Sequence, residues 1–302
     1  MLPPSGEQVE LALGEQRAVV GSVGAGLRTY TFAGAPLLDG FAVDDLSPSG
    51  RGQVLIPWPN RVAGGAYEFG GRTHQLALDE PEAGNAIHGL VRWAGWTVAE
   101  REPQRTVLSY TLHPQPGYPF ALALTIGYAL SDDGLEVATS ATNVGAERCP
   151  FGSGAHPYLT VGTRTVDSVL LHVPAETVLQ SDEHGIPTGS AGVAGTEHDF
   201  REPRPIGSTR LDTGFTDLQR DADGRARVEL RHPEREGGVA LWVDERYRHL
   251  MLYTGDDRPD VARRSLAVEP MTCPPNAFRS GEDLIVLEPG ETFTAAWGIR
   301  PL

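Results

Sequence analysis

The chain has 302 residues, 40% of them hydrophobic, with a formal net charge of −15. That is apolar material enough for a sizeable core, and a surface of this sign repels nucleic-acid phosphates and anionic lipid, so neither is an expected partner. Two cysteines, Cys149 and Cys273, make no disulfide framework. The N-terminus lacks a basic segment followed by an apolar run, and no window approaches eighteen consecutive apolar residues, so a cytoplasmic protein without membrane spans is expected.

Taken in chain order, the predicted elements are strands. Tyr67 to Leu76 reads as a hairpin whose Gly70-Gly71 pair supplies the positive backbone angles of a tight turn. Arg105 to His113 places Leu108, Tyr110 and Leu112 on one side. Phe120 to Leu130 alternates most cleanly, with Phe120, Leu122, Leu124, Ile126, Tyr128 and Leu130 on one face and small residues on the other. Asp132-Asp133-Gly134 turns the chain, and Leu135, Val137, Thr139 and Ala141 return. Val239, Leu241 and Val243 form a further set, as do Phe293, Ala295, Trp297 and Ile299. With 36 glycines and 24 prolines, turns are frequent and long helices are not expected. The reading is all-β: one large antiparallel β-sandwich spanning residues 1–302 as a single domain, with no internal repeat.

Three stretches carry the polar residues of interest. The first, Ile56 to Trp96, holds Asn60-Arg61 and then His88-Gly89. The second, GSGAHPYLTVG from Gly152 to Gly162, holds His156. The third, LAVEPMTCPPNAF from Leu266 to Phe278, holds Glu269. In this order they resemble the aldose 1-epimerase family, the sugar mutarotases, in which an N-R-x-x-x-G-x-(Y/F) segment leads into N-x-x-H-G. The resemblance implies the galactose mutarotase-like supersandwich, a topology that alternation alone does not specify. It also implies a monosaccharide substrate and no cofactor.

Interconverting the anomers of an aldose requires a base to take the C1 hydroxyl proton while an acid protonates the ring oxygen. One carboxylate and one imidazole on opposite sides of the sugar are the minimal set. The resemblance makes Glu269 the base and His156 the acid. Glu269 closes an apolar run and precedes Pro270, which favours an extended backbone. The bland alternative is a strand-end glutamate paired with Arg263 or Arg264. For His156 the alternative is a core imidazole satisfied by a carbonyl.

Arg61 and His88 are expected to hold substrate, against a surface ion pair and a turn residue respectively. Asp212, in RLDTGFTDL, resembles an aspartate that binds sugar hydroxyls, with Asp217 as its rival. Tyr253 is a candidate floor for the apolar face of a sugar, or else a core tyrosine. Asn60 is expected near substrate chiefly as a brace for the Arg61 loop, and Asn85 as a brace for His88.

No H-E-x-x-H or Cys-x-x-Cys spacing is present, so no metal site is expected. Arg92 lies four residues beyond His88 and is a lone cation that a phosphorylated or otherwise charged sugar would need in company. That charged-sugar enzyme is the nearest rival function, followed by a non-catalytic sugar-binding module. A glycoside hydrolase, which wants two flanking carboxylates, ranks last. No exposed apolar stripe declares an interface, so a monomer or weak dimer is expected.

Overall fold

The computed structural model describes residues 3–259 and 261–302. Strands dominate, and among the described residues the only α-helix is the single turn Ala277–Ser280. Two large antiparallel sheets organise the chain. One has nine strands and centres on the long pairs Leu122–Ser131, Gly134–Asn143 and Thr292–Pro301. The other has eight and includes Asp212–Leu218, His249–Tyr253 and Leu266–Met271 side by side. Apolar side chains from both enter one buried cluster, among them Leu108, Leu124, Ile126 and Tyr128 from the first and Phe215, Leu250, Leu252 and Val268 from the second. The architecture is the all-β sandwich expected.

Alternation predicts most of this packing. In Leu122–Ser131 the large residues are buried and the small ones between them half-buried. The Gly70-Gly71 turn closes a ribbon between Ala66–Phe69 and Arg72–Gln75, with both glycines at positive φ. Two strands depart from simple alternation. Val239–Val243 is buried throughout, and on its second face the Arg225 guanidinium lies 3.8 Å over the Trp242 ring. All six residues of Leu266–Met271 are buried. Glu269 therefore sits inside this strand, not at its end, and the strand continues through Pro270.

The registers of the eight-stranded sheet set up the site. Met251 pairs with Glu269, Tyr253 with Ala267, and Asp212 with Tyr253. Directly opposed residues share a face, and residues two apart along a strand do too. Glu269, Tyr253 and Asp212 are thus delivered to one surface of the sheet.

Candidate active site

His156 reaches the same surface by interruption of a strand. Gly154–Ala155 and Tyr158–Leu159 both pair with Leu266–Met271, and His156-Pro157 lies between them. The His156 backbone is fixed twice, its N–H donating to Gln53 O and its carbonyl accepting from Gly52 N–H. The ring stacks on Tyr158 at 4.9 Å between centroids, nearly parallel. Gly50, at φ +74, abuts it so closely that a Cβ there would come 2.9 Å from the imidazole.

His156 Nε2 lies 3.4 Å from Glu269 Oε1, and the residues are only 5% and 2% exposed. His88 stands edge-on to His156 at 5.4 Å. It takes up φ +63 just before Gly89, with its N–H donating to Asn60 O. Glu269 Oε2, His156 Nδ1 and His88 Nδ1 are buried with no protein partner. Buried polar atoms without partners are uncommon, and three in one place mark a site built to receive polar groups.

Burial disfavours charge on each of these residues. It pushes the Glu269 carboxyl well above the usual range, reinforced by the charge of Asp212 and opposed by Arg61. It pulls the His156 imidazole down to about 3 and His88 well below its ordinary value. The contact distance between Glu269 and His156 favours an ion pair, whereas burial opposes one. Burial is the larger influence on both groups, so the neutral forms are favoured, with the shared proton on Glu269.

Arg61, on the strand Arg61–Ala63, is held by a fork: Nε and Nη2 both donate to the Glu80 carboxylate, at 2.9 and 3.0 Å. Its Nη1 faces Asp212 at 3.9 Å. Arg61 does make an ion pair, as the bland alternative had it, but inside the cavity and not on an open surface. Asn60 accepts the Arg61 N–H through its side chain and so braces that loop, as expected. Asn85 bonds Glu80 and His184 O, so it steadies Arg61's partner and not His88. Asn276, from the third stretch, donates its N–H to Arg61 O and accepts from Ala63 N–H. That tie joins the Glu269 and Arg61 segments.

These residues line a cavity of about 320 Å³, within the range of small-molecule sites. Glu269, His156, Arg61, His88, Asp212, Tyr253 and Asn60 all contribute to its wall. Asp212 is half exposed, and enclosure raises its carboxyl, with Arg61 opposing. Asp217 lies outside the lining and accepts from Thr177 Oγ1 at 2.6 Å. Tyr253 donates its hydroxyl to Asp257. Arg263 and Arg264 are engaged elsewhere, with Asp167 and Asp256 and with Asp39, so Glu269 is not their partner. Both cysteines are buried free thiols, pushed up by burial to about 11 for Cys149 and about 12 for Cys273.

One expectation needs correcting. Glu269 and His156 do not face each other across a hollow; they touch, side by side on one wall. No sugar fits between them. The correction suits the chemistry, since the C1 hydroxyl and the ring oxygen are bonded to the same carbon and present themselves to one wall together.

Sequence reasoning also passed over Glu80 and Tyr158, both in the lining. Glu80 is visible only as an acidic residue in DEPEAGN until the fold sets it against Arg61. As to metals, donor atoms of His88, His156 and Glu269 lie within 4.8 Å of one another. Two imidazoles and a carboxylate can ligate zinc, and no local spacing signals the set because each residue comes from a different stretch.

The model of the aldose 1-epimerase family matches residues 7–300. The chain belongs to the aldose 1-epimerase family. The uncharacterized protein YihR of Escherichia coli (strain K12) is 38% identical over 288 residues, covering 95% of this chain and 91% of that protein. A GalM/aldose epimerase homologue from C. elegans superposes with a TM-score of 0.87 at 19% identity, covering 98% of both chains. A galactose 1-epimerase from Lactobacillus acidophilus NCFM does so with a TM-score of 0.81 at 22% identity, covering 98% of this chain and 94% of that one. At such identities the two structures establish the galactose mutarotase-like fold, and the family match supplies the epimerase assignment.

Proposed function

We propose that this aldose 1-epimerase family member is a mutarotase that interconverts the α and β anomers of an aldose by acid–base ring opening. The observation that carries the reading is the buried His156–Glu269 contact of 3.4 Å at the wall of a sugar-sized cavity. A pair holding one proton always contains one acid and one base.

In the reaction, transfer of that proton from Glu269 to His156 gives the carboxylate and imidazolium; the Arg61 charge favours the carboxylate and opposes the imidazolium. Glu269 then accepts the C1 hydroxyl proton while His156 donates to the ring oxygen, and the C1–ring oxygen bond breaks. Rotation about C1–C2 turns the aldehyde over, and closure with the roles reversed yields the other anomer. His88, beside His156, donates to or accepts from the ring-oxygen side. Arg61, clamped by Glu80, and Asp212 bind hydroxyls, and Tyr253 supports the ring. The protons taken and returned balance within the pair, so this mechanism draws on no redox or metal chemistry.

The test is anomer exchange by NMR or polarimetry on freshly dissolved single anomers of a sugar panel. Acceleration of at least one aldose supports the reading. Saturable sugar binding with no acceleration across the panel would replace it with a binding module.

A further inference from the structure

The proposed reaction needs His156 Nε2 aimed at one place, and hydrogen bonds alone do not aim it. Nε2 lies 3.4 Å from Glu269 Oε1, while Nδ1 is buried with no partner among the described residues. A catalytic imidazole is ordinarily oriented by a third group bonded to its far nitrogen. Without that anchor, packing against the ring has to set its plane.

The packing is a three-layer stack. Tyr158 lies 4.9 Å from the His156 ring between centroids, 11° from parallel, and the Arg51 guanidinium lies 4.1 Å over the same phenol ring. One face cannot hold both groups at these distances, so Tyr158 is sandwiched between them. Its hydroxyl donates to Ser49 O at 2.9 Å. Arg51 is 2% exposed, its N–H donates to Pro48 O, and its carbonyl accepts from Ser47 Oγ. Asp39 holds the outer layer. Its Oδ2 accepts from Arg51 Nη2 at 3.1 Å, Arg264 Nε at 2.9 Å and Ser265 Oγ at 2.8 Å, and its N–H donates to Tyr158 O. Ser265 immediately precedes the strand Leu266–Met271 that carries Glu269. One carboxylate thus connects the stack behind the imidazole to the strand bearing the imidazole's partner.

We infer that Arg51 and Tyr158, seated by Asp39, are positioning residues that fix the plane of the His156 imidazole against Glu269. This rests on the acid–base pair of the proposed function. Neither Asp39 nor Arg51 belongs to the described lining of the main cavity, so their effect on a sugar passes through the stack. Tyr158 does line it, at 4% exposure, with its ring given over to the two stacked groups. Planarity matters here, because a flat guanidinium on a flat phenol defines an angle that a flexible point charge does not.

The experiment measures kcat and KM of anomer exchange, and the NMR resonances of the His156 ring, in Tyr158→Phe, Tyr158→Leu, Arg51→Met and Asp39→Asn. Misplacing a reacting group by about 1 Å costs on the order of a hundredfold, and loosening its seat costs part of that. Expected is a fall in kcat of about tenfold or more in Tyr158→Leu and about fivefold in Arg51→Met and Asp39→Asn, with KM within about twofold. Tyr158→Phe keeps the ring face and loses only the Ser49 bond, so it retains kcat within about twofold. Arg51→Met leaves Asp39 bonded to Arg264 and Ser265, so it carries the test if Tyr158→Leu does not fold. A rise in KM that matches the loss of kcat, or kcat near the parent's in both Arg51→Met and Asp39→Asn, overturns the proposal. The ring resonances need no catalysis: they move in Arg51→Met and Asp39→Asn, and unmoved resonances also overturn it. A parent chain that exchanges no anomer while these resonances move removes the mutarotase and keeps the seat. Exchange by the parent with kcat unmoved in the variants does the reverse.

Discussion

Arg61 is held by Glu80 through a two-pronged hydrogen bond, and that pairing fixes where the guanidinium points into the cavity. A carboxylate in this geometry orients as well as neutralises. Glu80→Gln keeps one acceptor and loses the fork. The expected outcome is a rise in KM of about tenfold, in line with a charged hydrogen bond, with a smaller change in kcat. Steady-state kinetics with separate kcat and KM values checks it. An equal fall in kcat with unchanged KM would move Arg61 into the chemical step.

Gly185 backs Arg61 from the other side. It has φ +73, and a Cβ there would come 2.6 Å from Arg61 Nη1. Gly195 has nearly the same φ, +72, with nothing within 4 Å of such a Cβ. Alanine at either position costs about 1 kcal/mol of stability from the backbone alone. Only Gly185→Ala should also raise KM, because only there does the methyl group displace a guanidinium. Thermal melts and kinetics on the two variants side by side distinguish backbone strain from displacement of Arg61.

Burial of the acid–base pair predicts a trade of stability for activity. The folded chain holds the Glu269 proton more tightly than the unfolded chain does. Stability is therefore lost as pH rises from the ordinary carboxyl pKa, about 4.3, through the raised one. Glu269→Gln abolishes that loss, so the variant gains on the parent in urea denaturation as pH rises above about 4.3. His156, depressed to about 3, works oppositely: its contribution is full above its ordinary value of about 6.5 and is lost as pH falls towards 3. His156→Gln should flatten that acid limb. Urea midpoints measured from pH 4 to 8 decide both, and parallel curves for parent and variants would contradict the pKa directions.

Zinc should inhibit. The His88, His156 and Glu269 donors can converge on an ion, and a metal there would occupy the atoms that must carry protons. Activity retained after exhaustive chelation, with inhibition by added zinc that sugar relieves, is the expected pattern. Loss of activity on chelation and its return with zinc would replace the acid–base pair with a metal-centred reaction.

The sheet architecture and four of the polar residues were legible in the sequence for definite reasons. Alternation such as Phe120 to Leu130 survives because one face of each strand meets the core. Arg61, His88, His156 and Glu269 stand in stretches whose order matches a known family. The resemblance already preferred Asp212 to Asp217, and the register opposite Tyr253 supplies the physical reason: two aspartates five residues apart on a strand point to opposite faces. Glu80 and Gly185 act through contacts with Arg61 from segments far apart in sequence, and no local period encodes such meetings. The side-by-side placement of Glu269 and His156 was missed for the same reason. It depends on two short strands gripping Leu266–Met271 on either side of His156.

The most direct measurement is anomer exchange at equilibrium, by NMR magnetisation transfer, for the parent chain and for Glu269→Gln and His156→Ala on a sugar the parent accelerates. Each substitution should lower the rate on the order of a hundredfold or more, with sugar affinity changed far less. Near-parental exchange in either variant would mean that the Glu269–His156 pair does not move the protons.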